Sequence, residues 1–406
     1  MAPLREWLAD DCRQLETQLQ SWRRTLHEQP EVGFDLLTTR AFVLARLREM
    51  GYAPRKVGRA GVAATAGGRR PGKVYLLRAD MDALPINEES GEAFASRAPG
   101  RMHACGHDLH TAMLLGAAKL LREHEDEIDG TVVLMFQPAE EIGQGAKDMI
   151  DAGVLGDPPV NAAMMLHVLT GAPVDVGALV LPAADSALSS IDQFEIRLQG
   201  RGAHGAMPQL ARDPINAGCH IVLALQALSS REIDPNEPFV LTFGQFVAGS
   251  AGNIIPETAL LTGTIRTLSA GCRSEVKKRF EEITAATAAT FGVTAQISYT
   301  DCCPVLVNDP ALVDSARRAL SAAFGADGFL DAQNYGHGRS RVGGSEDFAY
   351  VGEKVPVVRL LLGVGDARQG AVYGHHHPKA KFDDSVLWRG TAAYLACALG
   401  WLSENK

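Results

Sequence analysis

Two stretches of this sequence are apolar at almost every position, and they constrain the fold more than any other feature. The stretches read GTVVLMFQP, from Gly130, and NAAMMLHV, from Asn161. A strand with one face in water alternates polar and apolar residues, so an apolar strand without alternation is buried on both faces. A helical pattern at 109–123 and further helices separate such strands. The sequence therefore predicts an α/β fold class with a mostly parallel sheet that helices cover on both faces.

The pattern changes near residue 188, where SSIDQFEIRLQG alternates polar and apolar residues like a strand with one wet face. A helix, two strand-like runs, a second helix and a final strand follow, which is the ferredoxin-like order β-α-β-β-α-β. The α/β pattern then returns from residue 302, and the length of 406 residues fits two domains. We therefore expect a catalytic domain formed by 1–187 and 302–406, with an inserted α+β domain at 188–301.

Global features of the chain exclude several classes of partner. The formal net charge is −9 and no basic stripe is present, so no nucleic-acid partner is expected. No apolar run reaches the roughly 18 residues that cross a bilayer, so no membrane insertion is expected. The N-terminal segment has the spacing of an amphipathic helix rather than the apolar run of a signal peptide, which favours a cytoplasmic location. Seven cysteines, an odd number in a long chain, do not suggest a disulfide framework.

The strongest chemical signal is the segment MHACGHDLHTAM, residues 102–113. Cys105 and His107 lie two residues apart in a short loop, before a helix expected to begin at Leu109 with Asp108 as its N-cap. A thiolate and an imidazole at this spacing suit zinc or a similar borderline metal. The alternative is a polar loop with a packed cysteine, and it would be preferred if the motif stood alone.

A pair of acidic residues follows the apolar strand at 131–137. Glu140 and Glu141 are expected at the carboxyl edge of the sheet, where the ligand sites of α/β proteins gather. Two adjacent carboxylates repel each other unless they share a cation or a proton. One carboxylate on a metal and one free to carry a proton would be a natural arrangement. The alternative is an ordinary solvated acidic pair near a helix start.

Other candidates are single residues that carry little information alone. In the α/β part they are His167, for which a hydrogen-bonded core histidine is the alternative, one of His375, His376 and His377, Asp80 and Asp82 after the strand VYLL, and Glu346 and Asp347 in a short helix that Ser345 could cap. In the inserted domain they are His204 in a glycine-flanked turn, Asn253, and Arg266. Arg266 could pair with a substrate carboxylate or with a structural glutamate.

Together these motifs resemble the M20 metallopeptidase family, in its branch of aminoacylases and carboxypeptidase-like amidohydrolases. That branch includes hippurate hydrolases, N-acetyl-diaminopimelate deacetylases and plant auxin-conjugate hydrolases. The resemblance runs from LHEQPEVGF to KFDD, almost the whole chain, and the motifs occur in the family's order: RADMDALP, MHACGHD, FQPAEE, LHV, GAHGAMP, NIIPET, GTIRT and SEDFAYV. The resemblance implies a metal-binding catalytic domain with an inserted lid.

The resemblance also implies two divalent metal ions, usually Zn, Mn, Ni or Co, and a role for each candidate residue. The implied metal ligands are Cys105, which would bridge the ions, His107, Glu141, His167 and His376. The implied catalytic and substrate-binding residues are Glu140 as general base, Asp80 as the acid that orients a ligand, His204 at the substrate carbonyl, and Asn253 and Arg266 on the carboxylate side of the substrate.

Three features depart from the family's pattern. His376 is chosen from a run of three histidines only because it precedes Pro378 by two residues. Ile142 follows the glutamate pair where the family commonly has glycine. The loop before SEDF carries extra polar residues, namely His337, Arg339 and Arg341. The last two departures bear on the choice of substrate more than on the chemistry.

The predicted function is hydrolysis of the amide bond of N-acyl amino acids or related conjugates by a metal-activated water, with Glu140 as general base. The expected partner is a small molecule, and an exposed strand edge in the inserted domain makes a homodimer possible. One alternative is a dipeptidase or carboxypeptidase with the same metal centre. Another is a redox-sensitive metal-binding protein with Cys105 as the switch, which would not need Glu140 or the inserted domain's motifs.

Overall fold

The protein is described from a computed structural model, which covers residues 8–184, 186–331 and 344–406. These residues form two compact units. Residues 8–187 (without 185), 307–331 and 350–406 belong to the first unit, and residues 188–306 and 344–349 belong to the second. The assignment of the units as catalytic domain and lid stays a prediction.

The chain enters the second unit within its seventh strand. The elements up to that point are α1 (Leu8–Gln14), α2 (Glu16–His27), α3 (Leu37–Glu49), β1 (Arg55–Val57), β2 (Gly61–Gly67), β3 (Arg70–Asp80), α4 (His107–Glu123), β4 (Asp129–Gln137), α5 (Gly145–Asp151), β5 (Ala162–Ala172), β6 (Leu179–Leu181) and β7 (Ser186–Leu188).

The second unit contributes six strands and two α-helices before the chain returns. They are β8 (Ile191–Gln199), β9 (Ala203–His204), α6 (Pro214–Leu225), β10 (Phe239–Ala248), β11 (Ile254–Ile255), β12 (Thr258–Thr267), α7 (Ala270–Thr290) and β13 (Thr294–Cys303). The remaining elements are β14 (Leu306–Val307), α8 (Pro310–Phe324), β15 (Phe329–Asp331), α9 (Ala349–Gly352), β16 (Val357–Asp366) and α10 (Leu387–Glu404).

The first unit is built on a sheet with the strand order β1-β2-β4-β3-β5-β16-β6-β15. The neighbours β4/β3, β3/β5, β5/β16 and β6/β15 are parallel, and the other three pairs are antiparallel. Every residue from Val132 to Phe136 of β4 is 0% exposed, because helices cover the sheet there. The predicted α/β class with a mostly parallel sheet is therefore confirmed.

The second unit has a four-stranded antiparallel sheet in the order β10-β12-β8-β13. Its elements follow the predicted β-α-β-β-α-β order, so the inserted α+β ferredoxin-like architecture is confirmed as well. Alternate residues of β8 are buried, and Phe194, Ile196 and Leu198 form a core with Ile221 of α6 and Phe280 of α7. Among the described helices, none is both long and apolar enough to cross a membrane.

Local predictions near the helix ends were partly wrong. The N-terminal helical pattern forms two helices that separate at Leu15, rather than one. Helix α4 begins at His107, its N-cap is Gly106 with φ 87°, and no side chain caps it. Asp108 does not cap the helix, because its carboxylate accepts a hydrogen bond from Arg23 instead.

Two further expectations concern the segment before β16. Helix α9 begins at Ala349, so Glu346 and Asp347 precede it, and the Ser345 hydroxyl accepts a hydrogen bond from Arg266. The Gly-rich stretch 325–344 was expected to be a surface loop, but Phe329–Asp331 forms β15. Most of that stretch, with His337, Arg339 and Arg341, lies outside the described residues.

Candidate metal centre

The candidate ligands of the first unit gather at one edge of its sheet. Strand β3 ends at Asp80, which lies opposite Gln137, the last residue of β4. Since β3 runs parallel to both β4 and β5, the segments that leave their carboxyl ends meet at the same edge. His167 does not end its strand as predicted, because β5 continues to Ala172.

The five predicted metal ligands lie together in this unit. The Sγ atom of Cys105 is 3.6 Å from Nε2 of His167. Nε2 of His107 is 3.8 Å from Oε1 of Glu141, and Nε2 of His376 is 3.4 Å from Oε2 of the same carboxylate. The ligand atoms within each of three groups lie within 4.8 Å of one another: Cys105, His107 and His167; Cys105, Glu141 and His376; His107, Glu140 and Glu141.

The hydrogen bonds of two histidines leave one ring nitrogen of each available to a metal. Nδ1 of His107 donates to the carbonyl of Asp82 over 2.8 Å, and Nδ1 of His167 donates to the carbonyl of Val168 over 2.6 Å. A carbonyl only accepts, so each Nδ1 carries the proton and each Nε2 keeps its lone pair. Within the described part of the chain, Nε2 of His107 and Oε1 of Glu141 are buried without a hydrogen-bond partner. These orphaned atoms fit a divalent cation.

The electrostatics of the group also fit a cation. Burial raises the pKa of the Cys105 thiol well above its ordinary value and raises the pKa of Glu141 to about 7. Burial opposes protonation of His107, yet the Asp80 carboxylate still raises its pKa well above the usual value. Burial lowers the pKa of His167, which keeps that ring neutral. A cation would hold the thiol and carboxylate ionised, and thiolate, imidazole and carboxylate together suit zinc-like metals.

The backbone is strained at two of the positions that shape this group. Ala139 has φ 56° and His376 has φ 63°, a left-handed conformation that residues other than glycine seldom adopt. Ala139 directly precedes the glutamate pair. The backbone N–H of His376 donates to the carbonyl of Ala104 over 2.9 Å, beside Cys105. Such strain is retained where the surrounding structure fixes a functional side chain.

The two aspartates after β3 have different contacts. Asp80 accepts hydrogen bonds from Nη1 of Arg78 (2.6 Å) and Nδ1 of His110 (2.5 Å). Burial raises the pKa of Asp80, but Arg78 and the nearby histidines lower it further, so the net pKa is well below the ordinary value. One of its oxygens lies 3.6 Å from Nε2 of His107. The ligand-orienting role predicted for Asp80 stays a prediction.

Asp82 is a functional candidate to which the sequence gave no role. Its carboxylate accepts the backbone N–H of Glu140 (3.0 Å) and that of Glu141 (3.2 Å), and its carbonyl accepts from His107. It therefore contacts three residues of the group at once. The available signal was the Asp-x-Asp spacing, which puts both side chains on the same face of an extended segment.

His110 was also missed. Its Nδ1 donates to Asp80, and its Nε2 accepts the backbone N–H of Val168 over 2.9 Å, next to His167. The signal was its position three residues after His107 on one helix, since residues at this spacing share a face.

The run of three histidines divides into three environments. His376 is the one that contributes an atom to a ligand group among the described residues. The ring of His375 lies edge-on to His167 at 5.2 Å and stacks on Phe382 at 6.0 Å. The ring of His377 stacks on Tyr373 at 4.2 Å, and its Nδ1 accepts the backbone N–H of Lys379.

The predicted substrate-binding residues belong to the second unit. His204 is exposed and lies in the short strand β9, paired with Ile254 of β11, so the expected turn at this position was wrong. Asn253 is exposed, and its carbonyl accepts the backbone N–H of Gly205 over 2.8 Å. Nη1 of Arg266 donates to the Ser345 hydroxyl over 3.1 Å. The roles of these residues toward a substrate stay predictions.

Comparison with known proteins identifies the family. The sequence pattern of "Peptidase family M20/M25/M40" matches residues 76–400. The N-acetyl-L-cysteine deacetylase of Bacillus subtilis is 36% identical over 394 residues, 97% of this chain and 90% of that protein. The thermostable carboxypeptidase 2 of Saccharolobus solfataricus is 35% identical over 399 residues, 97% of this chain and 98% of that protein. The IAA-amino acid hydrolase ILR1-like 4 of Arabidopsis thaliana is 36% identical over 394 residues, 95% of this chain and 86% of that protein.

A solved structure agrees with these relatives. It is a Bacillus subtilis protein described as a dinuclear metal-binding peptidase from the M20 family. The two chains are 32% identical with a TM-score of 0.80, and the match covers 96% of this chain and 99% of the other. The resemblance that the sequence motifs indicated is confirmed, and the chain belongs to peptidase family M20, as a metal-dependent amidohydrolase.

Proposed function

We propose that this amidohydrolase cleaves the amide bond of N-acyl amino acids or related conjugates, with Glu140 as general base and Glu141 as a metal ligand. The observation that carries the proposal is the unequal position of the two carboxylates. Glu141 approaches both His107 and His376, at 3.8 and 3.4 Å, whereas Glu140 lies 3.9 Å from His107. A carboxylate between two imidazoles suits a metal ligand, and its neighbour is then free to carry a proton.

The ligand set that we propose is Cys105, as the bridge, with His107, Glu141, His167 and His376. When bound, two divalent ions would lower the pKa of a water and polarise the scissile carbonyl. The donor set fits Zn, Mn, Ni or Co, which all accept nitrogen, sulfur and oxygen ligands.

The residues of the chain would then move the protons. Glu140 accepts a proton from the attacking water, and the same carboxyl group returns it to the amide nitrogen as the carbon–nitrogen bond breaks. His204 donates a hydrogen bond to the oxygen of the former carbonyl, a contact worth roughly 3 kcal/mol per donor at comparable sites. Asn253 and Arg266 bind the carboxylate side of the substrate. Asp82 fixes the glutamate pair through the two backbone N–H groups that it accepts.

The names of relatives support this choice of substrate. A deacetylase of an N-acetyl amino acid and an IAA-amino acid hydrolase both act on an amide formed with an amino acid. The carboxypeptidase relative supports a second candidate, cleavage of short peptides at the same centre. The two activities differ in what the second unit accepts, and Ile142, 46% exposed beside the glutamate pair, adds an apolar surface.

We also propose a homodimer in which β10 pairs with its copy. Within the described residues, β10 is an outer strand of its sheet, and Val240, Phe246 and Val247 on it are 39%, 39% and 51% exposed. An outer strand with apolar side chains is a template for pairing. Light scattering on the purified protein tests this. A cytoplasmic location remains a prediction from the sequence.

A substrate panel tests the proposed activity. The protein is loaded separately with Mn, Zn, Co or Ni and assayed with N-acetyl and N-benzoyl amino acids and with dipeptides. We expect the highest kcat/KM on an N-acyl amino acid, and none with the chelated protein. Turnover of dipeptides alone would favour the peptidase candidate, and no turnover of either class by metal-loaded protein would contradict the proposal.

A further inference from the structure

A buried charged cluster lies behind the loop that carries Cys105 and His107. We call it the His27 cluster, and its members are Arg23, His27, Glu88, Asp108 and Asp384. Their side chains are 1%, 2%, 3%, 0% and 10% exposed. All belong to the first unit, yet none is among the proposed ligands or catalytic residues. Burying so many charges costs stability unless they are paired, so their arrangement calls for a function.

His27, the last residue of α2, connects two carboxylates. Its Nδ1 lies 2.8 Å from Oδ2 of Asp108, and its Nε2 lies 3.1 Å from Oε1 of Glu88. A neutral imidazole donates from only one nitrogen, and a carboxylate only accepts. Both contacts are therefore satisfied when His27 is an imidazolium that donates to Asp108 and to Glu88.

Each of these carboxylates leads to a different ligand loop. Asp108 directly follows His107 in the chain. Glu88 precedes Glu89, whose backbone N–H donates to the carbonyl of Pro378 over 2.8 Å, two residues after His376. His27 thus connects the loop of Cys105 and His107 to the loop of His376.

Other contacts of α2 reinforce both connections. Nε of Arg23 donates to Asp108 over 2.8 Å. Arg24 donates to both oxygens of Asp384 over 2.8 and 3.0 Å, and Asp384 lies in the segment that follows His376. The ring of Phe94 covers the cations, with Arg23 4.5 Å and His27 5.6 Å from its centroid. Three cations, Arg24 included, face three carboxylates, so the cluster is neutral without a metal.

We propose that His27 is a positioning residue that holds the Cys105–His107 loop and the His376 loop at the separation that metal binding requires. The proposal rests on the metal ligands named under the proposed function. Residues that orient metal ligands from behind typically change metal affinity about 10–100-fold when replaced. It also explains why the motif LHEQPEVGF, which carries no ligand, contains a buried histidine.

The test is metal affinity, measured on the full chain by titration against a competing chelator. His27→Gln keeps a polar side chain but cannot carry the charge or reach both carboxylates as a cation. The matched control is His124→Gln. His124 also lies between two carboxylates, Asp11 at 3.2 Å and Glu127 at 3.3 Å, and it follows the last residue of α4. We expect His27→Gln to weaken Mn or Zn binding at least about tenfold and His124→Gln to leave it within about twofold.

A second measurement separates positioning from general stability. A purely structural role would lower the melting temperature of the metal-free and metal-loaded protein equally. A positioning role also shrinks the rise in melting temperature that added metal produces. If His27→Gln does not fold, Glu88→Gln removes only the connection to the His376 loop and is expected to weaken metal binding in the same direction.

Folded His27→Gln or Glu88→Gln protein with unchanged metal affinity overturns the inference. The readout does not depend on the substrate. If no N-acyl amino acid is hydrolysed while His27→Gln still weakens metal binding, the proposed function fails and the positioning role stands. If the wild-type chain binds no divalent metal, both fail.

Discussion

Nε2 of His376 lies 3.4 Å from Oε2 of Glu141, and this contact distinguishes His376 from the histidines on either side of it. The backbone of His376 has a positive φ of 63°, and its N–H is hydrogen-bonded to Ala104. A strained residue that the fold holds against a buried carboxylate is a specific position rather than one of three equivalent ones.

We therefore expect the three histidines to behave differently when each is replaced by alanine. His376→Ala should lose bound metal, because a ligand is removed from the group of Cys105 and Glu141. His377→Ala should keep full metal content, since that ring stacks on Tyr373 instead. Metal analysis of the purified variants is the measurement, and His377→Ala is the control. Equal metal loss in both variants would contradict the assignment.

The adjacent glutamates should separate metal binding from catalysis. Glu140→Gln should keep its metal and lose kcat by about 10²–10⁴-fold, the usual contribution of a positioned base. Glu141→Gln should lose metal affinity, because its carboxylate approaches two histidines. Metal content and kcat are measured on both variants, so each serves as control for the other. Near-normal turnover by Glu140→Gln would show that another group takes the proton.

Local patterns predicted the fold well where burial alone decides the structure. The continuous apolar runs of β4 and β5 required a sheet covered on both faces, and the alternation of β8 required one wet face. The start of α4 could not be predicted in this way. Asp108 is a good N-cap by type, but Arg23 and His27, 85 and 81 residues earlier, bind its carboxylate. A contact across that distance in sequence leaves no local trace.

The site was predicted in the same uneven way. Cys105 and His107 share one short motif, so residue type and spacing were enough to single them out. Asp80 and Asp82 are the same residue type on the same face, and only the folded chain shows which one meets the backbone N–H groups of Glu140 and Glu141. A single histidine in an apolar strand, such as His167, has no local feature that separates a ligand from a core residue.

Asp82 should matter although it is not a proposed ligand. Asp82→Asn replaces one acceptor oxygen with an N–H donor, so one of the N–H groups of Glu140 and Glu141 loses its partner. We expect metal affinity or kcat to fall about 10–100-fold while the protein remains folded. Metal titration and initial rates measure the effect, and circular dichroism verifies the fold. Unchanged values for both would show that the glutamate pair is held by other contacts.

The metal-free protein should become less stable as pH rises above neutrality, in a way that depends on His27. Burial lowers the pKa of His27, but the Asp108 charge and the hydrogen bonds to Asp108 and Glu88 outweigh it, so the net pKa is above the ordinary 6.5. Arg23 and His103 also face the ring, and Arg23 acts against its protonation.

Between the ordinary pKa and the raised one, the folded chain keeps a proton that the unfolded chain has released. The stabilisation from His27 is therefore complete below about pH 6.5 and is lost as pH rises through the raised value. Urea unfolding of chelator-treated wild type and His27→Gln at several pH values measures it. We expect the difference in free energy of unfolding between them to shrink with rising pH, whereas a constant difference from pH 6 to pH 9 would mean that His27 is not charged in the folded protein.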